Sequence, residues 1–364
     1  SMSGNGAWVS YVVGNSVSDT LYLQNVKSTK RHSFPKCKGG LFSPDTNIFA
    51  FSRNDSLQLF DLRKGELQFI GDSVLTYHFS KDGKQLVVLS NSGKNKKLAF
   101  IQLATLQSNI ITDITDLSFS NDKRYSVSVV SKVKGQKVVL YDLNTNKENV
   151  IANFSSTSLI SGFKWDDKGQ KFAFFLDEAT EKPLQLYYYS INSPKRKNSH
   201  LQVLSHYHLP KNYVLNQQSL YLTSEGSRVF FSLESVILKK QNTCENCVQV
   251  WHSDSKDLPP LIKSVRENNN LFWHFWDVDT QLVSSVEDTL YSNAILNGNA
   301  QYALLIGKKK TDLDSVKSSS NGFYLKYLEN QEYIDLERIS KSFPNTLMFS
   351  PKGNFIAYYT EKQW

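Results

Sequence analysis

The sequence predicts an all-β fold, a β-propeller of about seven or eight four-stranded blades of the WD40-like or TolB-like kind. Three observations point there. A turn of the form aromatic-Ser-x-Asp recurs along the chain, and its first three copies, at Phe42, Phe79 and Phe119, are 37 and then 40 residues apart. The composition is rich in rings, with 22 Phe, 18 Tyr and 6 Trp in 364 residues, which suits pleated surfaces covered by a neighbour.

Four copies of the repeat are plain. The first runs from Phe42-Ser43-Pro44-Asp45 through Ile48–Phe51 to Leu57–Leu62, and the second from Phe79-Ser80-Lys81-Asp82-Gly83 through Leu86–Leu89 to Leu98–Leu103. The third runs from Phe119-Ser120-Asn121-Asp122 through Tyr125–Val130 to Val138–Leu143. The fourth runs from Phe163-Lys164-Trp165-Asp166-Asp167 through Phe172–Leu176 to Leu184–Ile191. Weaker copies begin at Gly6, Leu220 and Leu296, the second of them with Val248-Gln249-Val250-Trp251 as a closing strand. A last copy opens at Phe349-Ser350-Pro351 and is cut short at Trp364. The Ser and Asp of the turn bond local backbone and its Phe packs between blades, while the Asp-Gly and Asn-Gly turns are hairpin chemistry because those residues tolerate positive φ. Side chains alternate along the strands, so the 3.6-residue stripe of a helical solenoid is missing. A lone sheet of this kind leaves apolar faces bare and is stable only against neighbours. Residues 1–364 therefore read as a single propeller domain, with Ser1–Gly4 a cloning scar and the last blade truncated.

The chain carries a net charge of +8. Its basic runs, Lys94–Lys97, Lys195–Lys197 and Lys308–Lys310, fall where loops are expected and acidic residues are interspersed, so a solvated surface is preferred to a nucleic-acid patch. No apolar run is long enough to insert in a membrane as a helix, and Ser1–Gly4 has none of the regions of a signal peptide.

Chemistry is sparse. No two of the 17 glycines are four residues apart, which removes Gly-x-Ser-x-Gly, and no phosphate-loop, dinucleotide or His-Glu-x-x-His motif occurs. No catalytic residue and no cofactor is assigned. Cys244 and Cys247 form a CxxC pair in a polar stretch. A loop-stapling disulfide is the first reading of that pair, with two free thiols next and metal or redox chemistry last, since four zinc ligands are lacking. Cys37 is left over. His206 and His208 would share one face of a strand and offer two imidazoles to a metal, but no third ligand is evident, and a surface blade connection is preferred. Asp166-Asp167, Asp277-Val278-Asp279 and Asp312-Leu313-Asp314 do not make calcium loops; Asp277 to Asp279 reads as a turn. The run Leu271–Trp276 could stack sugars or peptides, but a strand buried on both faces gives the same pattern and is favoured.

The blade turns, with Val248–His252 and Asn293–Leu304, make nearly the whole chain resemble the N-terminal propeller of the prolyl oligopeptidase family of serine peptidases, as found in Bacteroidetes-type bacteria. The resemblance implies an α/β-hydrolase domain of the same parent chain beyond Trp364 as partner. It further implies a propeller that gates or filters peptide access to that domain, and an envelope location, periplasmic or secreted. Dipeptidyl peptidases of the family hold the substrate's amino terminus with adjacent glutamates; this sequence has no Glu-Glu pair, so no such site is carried over. The alternative is a stand-alone TolB-like propeller acting as a protein-interaction scaffold. A propeller enzyme of the sialidase or lyase type is a third class.

Overall fold

The computed structural model describes residues 1–14, 19–93, 95–133, 135–178, 182–191, 201–236, 271–286, 291–297, 300–308, 321–336, 346–350 and 354–359. The chain divides into two compact units, Ser1–Ser158 and Leu159–Trp364.

In the first unit, β1 (Trp8–Gly14), β2 (Asp19–Asn25) and β3 (Arg31–Pro35) make a three-stranded meander. A four-stranded one follows: β4 (Cys37–Phe42), β5 (Ile48–Arg53), β6 (Ser56–Asp61) and β7 (Leu67–Gly71). The third sheet has seven strands in chain order: β8 (Val74–Phe79), β9 (Gln85–Ser92), β10 (Asn95–Gln102), β11 (Ser108–Phe119), β12 (Tyr125–Lys132), β13 (Gly135–Asp142) and β14 (Lys147–Phe154). This departs from the expected separate blades, because β11 serves two of them. Its first half, from Ser108 to Ile114, pairs with β10, and its second half, from Asp116 to Phe119, pairs with β12. The stretch Ile110-Ile111-Thr112-Asp113-Ile114-Thr115 explains this: five of its six residues are β-branched, no Gly or Pro breaks it, and the strand continues through a bulge.

In the second unit come three four-stranded meanders. They are β15 (Ser158–Trp165), β16 (Lys171–Glu178), β17 (Gln185–Ser190) and β18 (Leu201–Leu204); β19 (Tyr213–Leu222), β20 (Arg228–Ser235), β21 (Leu271–Asp277) and β22 (Leu282–Ser285); and β23 (Tyr291–Leu296), β24 (Tyr302–Lys308), β25 (Asn321–Tyr327) and β26 (Tyr333–Asp335). A pair, β27 (Thr346–Phe349) and β28 (Ile356–Tyr359), ends the described chain. The strand beside β20 is β21, whereas Val248–Trp251, read from sequence as the closing strand of that blade, lies outside the described residues.

One six-residue turn precedes each of β1, β5, β9, β12, β16, β20, β24 and β28. At Ser3, Ser43, Ser80, Ser120, Asp166, Thr223, Asn297 and Ser350 the backbone N–H donates to the carbonyl five residues on. The side-chain oxygen of the same residue accepts the N–H returning from that position, at 2.9–3.3 Å. The fourth residue of the turn is left-handed: Gly6, Thr46, Gly83, Lys123, Gly169, Gly226 and Ala300 all have φ between 53° and 70°. Glycine adopts that conformation without a Cβ clash, which is why it recurs there. In three copies an Asp two residues after the Ser also accepts the Ser hydroxyl, as Asp82 does from Ser80 at 2.7 Å. Ser3, read from sequence as part of a scar, is 1% exposed and holds the first of these turns.

On β5 and β20 both faces are covered, as a propeller blade requires. On β5, Phe49 and Phe51 join Trp8, Leu21 and Leu23 of the preceding sheet, while Ala50 on the other face joins Leu86 and Val88 of the next. On β20, Phe231 packs with Phe175 and Tyr188, and Phe230 packs with Ala303 and Leu305. These apolar contacts, about 25 cal/mol per Å² of surface removed from water, hold consecutive blades together.

Candidate functional site

The turns lie at one end of the strands. At the other end, in the first unit, the β9–β10 and β12–β13 hairpins and the middle of β11 enclose an open cleft of about 580 Å³. Asn95, Lys96, Asp113, Ile114, Thr115, Ser131, Lys132 and Val133 line it. Asp113 sits in the left-handed region, φ 64°, where β11 passes from one blade to the next. That strained conformation is held by the side chain: Asn95 Nδ2 donates to one carboxylate oxygen at 2.6 Å and Thr112 Oγ1 to the other at 2.9 Å. Thr115 donates its hydroxyl to the Val129 carbonyl at 3.3 Å, which leaves its lone pairs open as acceptors. Beside the cleft, burial pushes the Asp116 carboxyl above the usual carboxylate range, against the opposing pull of the Leu117 N–H and of Lys96. Neither Lys96 nor Lys132 forms an ion pair among the described residues. The described lining contains no histidine or cysteine, and its chemistry is that of binding: ammonium donors, fixed carboxylate acceptors and hydroxyls on rigid strands.

The residues singled out from the sequence are not brought to this cleft, apart from one basic run. Lys94–Lys97 was expected in a loop, but β10 starts at Asn95, so Lys96 and Lys97 are strand residues and Lys96 lines the cleft. The reason is local: Lys97 and Lys96 pair with Ser90 and Asn91 across a tight hairpin, and pairing outweighs lysine's weak strand preference. Cys244 and Cys247 lie outside the described residues, as do Lys195–Lys197 and Asp312–Asp314. Cys37 is buried and free. His206 and His208 are not on a strand face but on a 3-10 turn, His206–His208, where the i, i+2 spacing does not align two rings. His208 Nδ1 meets Ser205 Oγ at 3.1 Å, and the His206 ring lies against Tyr207. No group of three metal-ligating side chains occurs among the described residues. Asp277 caps a turn through Thr280, as read from sequence. Asp166 accepts the N–H groups of Gln170 and Lys171.

The aromatic run is β21, buried on both faces: Phe272, His274, Phe275 and Trp276 are each under 8% exposed. From the sequence His274 was read only as part of this run. Its Nδ1 lies 3.2 Å from the Phe272 carbonyl and its ring packs beside Tyr213. Burial lowers its pKa to about 4, helped by the charge of Lys326 and opposed by the Phe272 carbonyl. The unfolded chain takes up a proton on this imidazole near pH 6.5, whereas the folded chain refuses it until about pH 4. Stability from this group is therefore whole above pH 6.5 and is lost as the pH falls from 6.5 to 4, by roughly 3 kcal/mol at most. Urea unfolding of the protein and of His274→Gln across that window is expected to show a steeper loss with His274 present. Parallel curves would reject the assignment.

No protein-family model matches the chain, and no curated protein matches it in sequence. Among solved structures the chain is similar to dipeptidyl peptidase 4 of Porphyromonas gingivalis, with a TM-score of 0.50 and 12% identity over 96% of this chain and 55% of that one. It thus spans about half the length of that peptidase. It also matches the β-propeller domain of the Trilobed protease from Pyrococcus furiosus, with a TM-score of 0.37 and 12% identity over 91% of this chain and 94% of that one. TolB from Acinetobacter baumannii matches with a TM-score of 0.32 and 13% identity, over 91% and 80%. At such identities the likeness is one of fold, and the fold is a β-propeller.

Proposed function

We propose that residues 1–364 serve as one non-catalytic propeller domain that gates peptide access to an α/β-hydrolase serine peptidase domain of the same parent chain, in the cell envelope. The observation that carries this reading is the likeness in fold to dipeptidyl peptidase 4 over 96% of this chain and 55% of that one. The blade turns that resemble the prolyl oligopeptidase family support it. A propeller in that role contributes selection rather than bond cleavage: rigid blades around a passage admit a short flexible peptide and turn away a folded protein.

The test has two parts. The parent reading frame is expected to continue past Trp364 into a hydrolase domain, and the chain on its own is expected to leave chromogenic peptides uncleaved. Joined to that domain, the propeller is expected to spare folded proteins that the hydrolase domain alone attacks. A stop codon soon after Trp364, or turnover by the isolated chain, would sink the proposal. A stop codon together with a stable partner recovered from envelope extracts would favour the scaffold reading.

A further inference from the structure

We propose that the cleft between the β9–β10 and β12–β13 hairpins is a binding site for a carboxylate-bearing peptide segment. This rests on the cleft alone and is independent of any hydrolase domain.

Lys96 and Lys132 stand at corresponding hairpins of consecutive blades, so the fold places two ammonium groups at one opening. Neither is neutralised by an ion pair among the described residues. An anion entering between them gains two charge-assisted hydrogen bonds. The remaining lining selects the kind of anion. Asp113 is a carboxylate whose two oxygens are fixed by Asn95 and Thr112 and still carry lone pairs. Thr115 has given its proton to the Val129 carbonyl and offers acceptors only. The site therefore needs N–H donors from its ligand as well as a negative group. A peptide supplies both. Inorganic phosphate at neutral pH and a nucleic-acid backbone present mainly acceptor oxygens and bring too few N–H donors to meet Asp113 and Thr115. Val133, 99% exposed, and Ile114 add apolar surface at the rim and floor for the peptide's own side chains. A cleft of about 580 Å³ lies in the range that small-ligand sites occupy. The strands carry the groups rigidly, so little ordering is needed on binding.

The carboxylate can belong to an Asp or Glu side chain or to a chain terminus, and two fluorescein-labelled peptides separate these. One carries internal glutamates and an amidated end; the other has no acidic side chain and a free C-terminus. A glutamine-containing amide is the blank. By fluorescence anisotropy at low salt, at least one of the two carboxylate peptides is expected to bind and the blank is not. The double variant Lys96→Gln/Lys132→Gln is expected to weaken binding by about tenfold or more. Its thermal midpoint should stay unchanged, because both side chains reach solvent. Lys147→Gln/Lys164→Gln, which removes two exposed lysines elsewhere, is expected to change little. The proposal is overturned if neither peptide outbinds the blank, if the two double variants weaken binding equally, or if inorganic phosphate displaces the peptide as well as the unlabelled peptide does.

Discussion

Trp276→Ala is expected to cost about 3–5 kcal/mol of stability in the second unit. Trp276 is 0% exposed and lies in a cluster with Phe175, Tyr188, Leu222 and Phe231, where the sheet of β15–β18 packs on that of β19–β22. Its ring meets Tyr188 edge-on at 6.2 Å between centroids. Removing the indole opens a cavity that two rigid sheets cannot close, so the transfer and cavity terms add. The indole Nε1 is buried with no acceptor in reach among the described residues. Trp276→Phe deletes that donor and keeps a ring, so it is expected to cost less than half as much as the alanine change. Urea unfolding followed by tryptophan-independent circular dichroism measures both. Equal losses for Ala and Phe would show that the ring does not fill this interface.

The second large effect is at a turn. Asp166→Ala is expected to lower stability by about 2–4 kcal/mol. Asp166 is 1% exposed, and its Oδ1 accepts the N–H groups of Gln170 at 2.8 Å and Lys171 at 2.9 Å. Alanine leaves both donors without that acceptor at the point where β16 begins. Asp166→Ser restores the residue type that holds the same turn at Ser43, Ser80 and Ser120, so most of the loss should be recovered. The same unfolding measurement decides it. If Ala and Ser behave alike, the side-chain oxygen is not what closes the turn.

These two positions were legible in the sequence to different degrees. The turn was readable because everything that makes it lies within six residues: a short oxygen-bearing side chain, a left-handed fourth residue, and a strand that follows. Ser43, Ser80 and Ser120 announced it directly. Thr223 and Asn297 carry the same bond with different side chains, and so read as weaker copies, while Ser3 was passed over because the terminal residues looked foreign. The buried character of Leu271–Trp276 was readable from its continuous apolar run, but which strand it joins was not. The partner of β20 is separated from it in sequence by residues 236–270, and nearer apolar residues at Val248–Trp251 offered an equally good pattern. His206 and His208, preferred from the sequence as a surface blade connection, do lie exposed between β18 and β19. A spacing of two is meaningful only on a strand, and the Ser205 to Leu209 segment forms a 3-10 turn instead.

The cleft shows the same division. Asn95 and Lys96, Asp113 to Thr115, and Ser131 to Val133 come from three segments, and nothing in any one of them marks a site. Lys94–Lys97 looked like a solvated tip because lysines are normally found there. The amino-acid order alone determined the repeat, the turns, the alternation along each strand and hence the blades, since those depend on contacts within a few residues. Which strand runs unbroken from one blade into the next, which sheets cover which faces, and which side chains converge on one opening were decided only in three dimensions. Such outcomes depend on pairing between distant segments, whose gain appears only once the intervening chain has been ordered.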